Sequence, residues 1–186
     1  IYAVAKTWGS GSLNFHPYQN HHGHLYKSTD SGDNWSLLWD DYFLDSVFMS
    51  ANHPETLYVM ASSGIGARGK GKSYIFATHD AGKNWIGPSR VIPRPGLNRG
   101  EAWHSHLYAE GGLGGAAPNS ENPLESVLFA KGRIWRTKDG GKTYEDSSNL
   151  FTGYTLSQND GMLFDPRDQD RIAIAVADES FFISTN

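Results

Sequence analysis

The sequence predicts an all-β protein made of β-propeller blades, each a four-stranded antiparallel sheet, because one short turn motif recurs along the chain. The motif places a glycine two residues after an aspartate and an aromatic residue three positions after that glycine. Its copies begin 50 and 59 residues apart, the length of four short strands with their loops. No window shows a sustained helical period. The copies are Asp30, Gly32 and Trp35; Asp80, Gly82 and Trp85; and Asp139, Gly141 and Tyr144.

Short aromatic and β-branched runs on both sides of each motif predict the strands that the turn connects. The run SYIFAT leads into the second copy, and the run WSLLW begins at the last residue of the first copy and continues after it. Two more strands, joined by a proline-containing turn, complete each unit. We therefore predict that residues 1–186 form a partial propeller of about three and a half blades, completed by the rest of a longer polypeptide or by partner chains. The approximate blades are 1–40, 41–90, 91–147 and 148–186.

Composition allows one globular domain and excludes several functional classes. The 186 residues are 38% hydrophobic and 13% aromatic, enough to fill one core. A net charge of −4 argues against nucleic-acid binding, and no apolar run reaches the length of a membrane span. The lack of cysteine excludes disulfides and thiolate metal sites. We predict no cofactor and no metal.

The three turns match the pattern S/T-x-D-x-G-x-T/N-W/F/Y over residues 28–35, 78–85 and 137–144. This pattern resembles the Asp-box, or bacterial neuraminidase repeat. The chain therefore resembles, over nearly its whole length, the propellers of sialidases, xyloglucan-cleaving endoglucanases and sortilin-type receptors. Because enzymes and receptors share the fold, the resemblance specifies architecture rather than function. It implies that each box lies between the third and fourth strands of a blade, on the rim away from the ligand face.

The residue types of the motif are those of a structural turn. An aspartate can accept hydrogen bonds from the N–H groups of its own turn, and glycine allows the positive φ that closes it. We expect each aromatic ring to fold back between neighbouring sheets and to bury roughly 150–250 Å². Asp30, Asp80 and Asp139 are accordingly assigned structural rather than catalytic roles.

The segment GARGKGKS, residues 66–73, matches the phosphate-loop pattern G-x-x-x-x-G-K-S. A working phosphate loop opens a helix, whose first N–H groups hold the phosphates. The residues that follow, YIFATHD, predict a strand leading into the second turn instead. We therefore interpret the segment as a basic loop rather than a nucleotide site.

Two long segments are predicted to reach the ligand face. Residues 7–24 contain Trp8, Tyr18 and four histidines, His16, His21, His22 and His24, which either bind a transition metal or, as we favour, belong to a polar loop. Residues 94–112 combine aromatic rings with polar groups, as a sugar site does, although a solvated connector is the alternative. The candidate ligand-binding residues are Trp8 and Tyr18 in the first segment and Arg99, Trp103, His104, His106 and Tyr108 in the second.

Three carboxylates, Asp45, Glu101 and Asp160, are candidates for the acid pair that glycoside hydrolysis requires. Asp45 and Asp160 precede predicted inner strands. The xyloglucanase resemblance implies a catalytic aspartate shortly before a DP turn, and Asp160 ahead of Asp165-Pro166 matches this in part. That family's other catalytic segment is not visible here, and the arginine triad and Tyr–Glu pair of sialidases are missing.

Two functional classes follow from these features. The first is a carbohydrate-active enzyme, a hydrolase or lyase, that works on a glycan or polysaccharide in the central cleft. The second is a non-catalytic propeller that binds a ligand or builds an extracellular assembly. In either class we expect the protein outside the cell or on its surface.

Overall fold

The computed structural model describes residues 1–6, 23–40, 43–62, 73–92, 113–130, 133–147, 159–165, 167–176 and 180–184. Within these ranges the chain forms strands and turns, and no helix is present. The strands are β1 (Tyr2–Lys6), β2 (Gly23–Lys27), β3 (Ser36–Trp39), β4 (Phe43–Met49), β5 (Leu57–Ser62), β6 (Ser73–Thr78), β7 (Arg90–Ile92), β8 (Leu113–Pro118), β9 (Ser126–Ala130), β10 (Arg133–Thr137), β11 (Thr143–Asp146), β12 (Asn159–Asp165), β13 (Asp168–Val176) and β14 (Ser180–Ser184).

The described strands form four sheets that follow one another along the chain. The first sheet is β1-β2-β3, the second β4-β5-β6, the third β7-β11-β10-β9-β8 and the fourth β12-β13-β14. All neighbouring strands are antiparallel except β7 and β11, which are parallel. Consecutive sheets contact each other through β4, β8 and β12, which we call the inner strands. Strand β4 contacts β1 and β2, β8 contacts β4, and β12 contacts β8. The predicted all-β class is confirmed, and the sheets are stacked like the blades of a β-propeller.

Strand β5 shows how the sheets stack. Its apolar run is buried on both faces, which requires a sheet on either side. Val59 belongs to a cluster with Leu25 and Trp39 of the first sheet. Met60, whose side chain points to the opposite face, belongs to a cluster with Tyr144 of the third sheet. The core therefore lies between consecutive sheets rather than within any one of them.

Polar groups also connect the second and third sheets. Three side chains of the second sheet donate hydrogen bonds to backbone carbonyls of the third: Tyr58 Oη to Pro123 O (2.9 Å), Ser50 Oγ to Asn119 O (2.9 Å) and His79 Nε2 to Gly140 O (2.9 Å). His79 Nε2 must be the donor in its bond, because a carbonyl oxygen only accepts. Each bond satisfies a carbonyl that packing removes from water, so the three together favour one alignment of the sheets.

The strand that follows the second turn departs from the predicted four-stranded plan. Ile86 pairs with Ala77 of β6 in a single bridge, and Ser89 N–H donates to Ile75 O. Pro88 lies between these two residues and has no N–H to offer, which interrupts the ladder. The chain then crosses to the third sheet, where β7 pairs with β11. The third sheet consequently has five strands and the second only three.

The aromatic residues of the three turns differ in burial. Tyr144 is fully buried, and Trp85 packs edge-on against Trp39 of the preceding sheet, with 4.4 Å between ring centroids. Trp35 is 43% exposed, so the expectation that it lies between sheets is wrong. The reason is positional: each ring packs on the sheet before its own, and no described residues form a sheet before the first.

The turn glycines show the same difference. Gly32, Gly82 and Gly141 have φ values of 104°, 87° and 88°, which disfavour a side chain. A Cβ on Gly82 would lie 2.7 Å from the Leu38 side chain, and one on Gly141 would lie 2.9 Å from Ala77 Cβ. A Cβ on Gly32 would meet only the Trp35 ring, at 3.8 Å, among the described atoms. The second and third glycines thus also allow close packing of the sheets.

Replacing Tyr144 by alanine should lower the free energy of unfolding by about 3–5 kcal/mol, because a fully buried ring leaves a cavity. Trp35→Ala should cost less than about 1.5 kcal/mol, mainly through loss of the hydrogen bond from Trp35 Nε1 to Gly32 O. Urea denaturation of the two variants measures both. Equal costs would contradict the structure.

Gly141→Ala and Gly32→Ala form a matched pair. Both place alanine at positive φ, a strain of roughly 1–2 kcal/mol. Only Gly141→Ala also forces a methyl group against Ala77, which we expect to add about 1–3 kcal/mol. Denaturation midpoints compare the pair directly. A larger loss in Gly32→Ala would show that the third turn does not pack as described.

Candidate functional site

The three motif turns share one hydrogen-bond arrangement. In the second turn, Asp80 Oδ1 accepts the Thr78 hydroxyl (2.8 Å) and the Asn84 N–H (2.9 Å), and Oδ2 accepts the Asn84 amide (2.7 Å). Thr78 Oγ1 in turn accepts the Gly82 N–H (3.0 Å). Both carboxylate oxygens are therefore engaged in holding the turn. The equivalent residues are Ser28, Asp30, Gly32 and Asn34 in the first turn, and Thr137, Asp139, Gly141 and Thr143 in the third.

These hydrogen bonds favour the ionised carboxylates. The Asn34 N–H, followed by the Asn34 amide and the Ser28 hydroxyl, lowers the pKa of Asp30 to about 2. The matching donors lower the pKa of Asp80 to about 2 as well. Burial works against this effect at Asp139, but donors from Thr143 and neighbouring residues still lower its pKa. A carboxylate that is ionised at neutral pH and whose oxygens are both engaged suits a structural role and not proton transfer.

The turns lie at one end of the sheets, which we call the box rim. Ala81 N–H donates to Glu55 O (2.8 Å), and Gly140 N–H donates to Leu124 O (2.9 Å). The connections 50–56 and 119–125 between the first two strands of each sheet therefore lie on the same rim. The opposite ends of these strands lie away from it.

Each of the inner strands β4, β8 and β12 contains a β-bulge near its beginning. The pairing register shifts between Leu44 and Ser46, between Leu113 and Gly115, and between Asn159 and Gly161. A bulge leaves one extra residue outside the ladder and is common next to active sites, where it redirects a side chain. The extra residues are Asp45, Gly114 and Asp160.

The bulges lie at the strand ends remote from the box rim, and we call this end the bulge face. In the second sheet, Leu57 pairs with Thr78 at the rim, whereas the residues flanking Asp45 pair with Met60 and Ala61 near the other end. The pairing of β12 with β13 places Asp160 in the same way. Two of the predicted acidic residues thus occupy equivalent backbone positions on alternate inner strands. The sequence suggested only a loose likeness between them and gave no sign of Gly114.

Both long predicted segments are anchored at the bulge face. Lys6 pairs with Gly23 at the end of the first sheet away from its turn, so the chain between them leaves and returns there. A Cβ on Gly23 would collide with the backbone of Leu44, directly beside the Asp45 bulge. Ile92 and Leu113, which bracket residues 93–112, lie at the same end of the third sheet.

All seven predicted ligand-binding residues fall outside the described ranges, and their grouping remains a prediction. The same holds for Glu101 and for residues 66–72 of the phosphate-loop pattern. Its last residue, Ser73, begins β6, a strand as predicted and not a helix. The ligand-binding residues concerned are Trp8, Tyr18, Arg99, Trp103, His104, His106 and Tyr108.

The described part of the chain holds no group of three or more side chains suited to a metal ion. Of the four histidines in residues 7–24, only His24 belongs to that part, and its Nδ1 lies 3.6 Å from the Asp40 carboxylate. Among the same residues, no helix has the length and apolar character needed to cross a membrane.

No protein-family model and no curated protein matches the chain. Solved structures do. The chain is similar to a GH74 xyloglucanase from Xanthomonas campestris, with a TM-score of 0.56 and 16% identity, covering 98% of this chain and 27% of that one. An ancestral GH74 enzyme gives a TM-score of 0.55 and 13% identity, covering 97% and 23%. YCF48 bound to D1 peptide gives 0.45 and 16%, covering 90% and 44%.

The two GH74 structures show the fold that this chain shares with them. At 13% and 16% identity the likeness carries no assignment of activity. The chain spans about a quarter of the length of each enzyme.

Acid should destabilise the protein as the pH falls from about 4 towards 2. Asp30 and Asp80 have a pKa of about 2 in the fold against 3.8 for the free side chain. The unfolded chain therefore binds more protons across this window, and stability is lost as it does so. Asp80→Asn should be less stable at neutral pH and should lose part of this acid dependence. Urea midpoints across the pH range measure it, and unchanged acid dependence would contradict the role of Asp80.

Proposed function

We propose that this chain is part of a secreted or cell-surface propeller that binds a polysaccharide across the bulge face and hydrolyses it. The observation that carries the proposal is the repeated bulge, which places Asp45 and Asp160 at equivalent positions on strands of two different sheets. A glycoside hydrolase needs two carboxyl groups that face one bond from different parts of the scaffold. We also assign the three motif turns to the Asp-box type, on their shared hydrogen bonds.

The fold suggests which kind of hydrolysis the pair would perform. Strand β8 of the third sheet lies between β4 and β12, and packed sheets stand about 10 Å apart. Because two such spacings separate β4 from β12, the pair would lie too far apart for the 5–5.5 Å of retention, and inversion at roughly 6.5–9.5 Å would require both side chains to converge across the cleft. One carboxylic acid would protonate the leaving oxygen, while the other carboxylate would activate a water on the opposite face of the sugar.

Substrate recognition is assigned to the two segments anchored at the bulge face. Trp8, Tyr18, Trp103 and Tyr108 would stack on sugar rings, and polar side chains of residues 94–112 would bind hydroxyl groups. Glu101, in the second of these segments, is the third candidate for a catalytic carboxylate. The likeness to a GH74 xyloglucanase supports xyloglucan as the first substrate to try.

Asp160→Asn and Asp45→Asn, each made in the complete propeller, should reduce release of reducing ends from xyloglucan by at least about 100-fold. Asparagine keeps the side-chain shape but cannot exchange the proton, so calorimetric binding of xyloglucan oligosaccharides and the melting temperature should change little. Asp33→Asn, which alters an exposed carboxylate on the box rim, is the matched control.

Full activity in both variants would remove the pair from the mechanism. Binding of xyloglucan by the unaltered protein without any turnover, across a panel of β-glucans, would instead establish a non-catalytic binding propeller.

A further inference from the structure

The middle of the three bulges differs from the other two in its residue type. Its extra residue is Gly114, on β8, whereas Asp45 and Asp160 are the extra residues on β4 and β12. Strand β8 contacts both of these strands. The third sheet therefore has a described sheet on either side, and these contacts fix the place of Gly114 between the two aspartates.

The bulge conformation itself does not explain the glycine. Asp45 and Asp160 show that the extra position accepts a residue with a side chain. Glycine also weakens a strand, because it loses more backbone entropy on folding than other residues and has no side chain to pack. A glycine in a strand often marks a place where a ligand or another backbone approaches closely.

The residues that follow Gly114 on β8 are also small, but their surroundings differ. Gly115, Ala116 and Ala117 pair with residues of β9 and are buried, which fits close packing between the sheets on either side. Gly114 takes no part in this ladder and lies at the bulge face. Pairing within the sheet therefore accounts for the residues after the bulge and not for the glycine in it.

The order of the inner strands gives Gly114 a place in the proposed reaction. Packed sheets stand about 10 Å apart, and the sheet that carries Gly114 separates Asp45 from Asp160. Two carboxyl groups can serve one glycosidic bond only if that bond lies between them. The reacting sugar would then lie over the backbone of β8, where a side chain at position 114 would compete with it for space.

We propose that Gly114 forms the floor on which the sugar next to the cleaved bond lies, and we call this space the sugar seat. The missing side chain leaves room for a pyranose ring against the β8 backbone. Peptide groups that the bulge removes from the ladder are available to the hydroxyl groups of the ring. Gly114 is thus a specificity-determining residue that acts by leaving space. The inference rests on the proposed function, since it concerns the same face and the same pair of aspartates.

Gly114→Ala and Gly114→Leu, made in the complete propeller, test the sugar seat by filling it. Calorimetry should show affinity for xyloglucan oligosaccharides reduced at least about tenfold in Gly114→Leu and by a smaller factor in Gly114→Ala, because the loss grows with the volume added. Turnover of xyloglucan should fall together with affinity. Met49→Trp is the matched control, since it enlarges a 48% exposed side chain at the box-rim end of the inner strand β4, and it should change neither.

The relation between binding and turnover separates this inference from the proposed function. Asp160→Asn should lose turnover and keep binding, whereas Gly114→Leu should lose both. Unchanged affinity in Gly114→Leu beside an inactive Asp160→Asn would overturn the sugar seat and leave the hydrolysis standing. Weakened binding in Gly114→Leu beside full activity in both aspartate variants would support the seat and remove the pair from the mechanism.

Melting temperatures verify that each variant is folded. If Gly114→Leu does not fold, Gly114→Ala decides the question, because its added methyl group is the smallest that enters the sugar seat. Unchanged affinity in folded Gly114→Ala would then overturn the proposal. An equal loss of affinity in Met49→Trp would overturn it as well, since the effect would not be specific to the bulge face.

Discussion

The packing of each motif turn on the preceding sheet is the interaction on which the rest of the structure depends. A single sheet of three or four short strands cannot cover its own apolar faces, and β5 is buried only because sheets lie on both sides of it. The turn supplies the contact at which two sheets come closest, through a glycine that admits a neighbouring side chain and an aromatic ring that covers it. Where the neighbouring sheet is absent from the described residues, the ring is only partly covered, as at Trp35, which is 43% exposed.

Aspartate residues lie at both ends of the sheets, and the two groups have different chemical environments. At the box rim, Asp30, Asp80 and Asp139 have their oxygens occupied by donors of their own turns, which lowers their pKa values and removes them from proton transfer. At the bulge face, Asp45 and Asp160 stand at positions that the ladder leaves unpaired. A rigid rim that holds the sheets together allows the opposite end to vary its loops without loss of the fold.

Much of the fold could be predicted from the sequence because its signals are local. A turn of eight residues contains its own donors, acceptors and glycine, so the pattern specifies both the geometry and the two strands that the turn connects. Alternating apolar residues then specify which positions face a neighbouring sheet. The candidate site could be predicted only in part. The sequence showed Asp45 and Asp160 as acidic residues before predicted inner strands, but the pairing of those strands was needed to show that the two positions are equivalent.

The sequence by itself determined the all-β class, the structural character of the three turns and the strand that follows the phosphate-loop pattern. The tertiary structure decided the exposure of Trp35, the crossing of β7 to the third sheet and the bulges at Asp45, Gly114 and Asp160. These features depend on residues far apart in the chain. A ring is buried only if another sheet covers it, a short strand after an interrupted ladder pairs with whichever neighbour offers free hydrogen bonds, and a bulge is a mismatch between two strands that neither strand encodes alone.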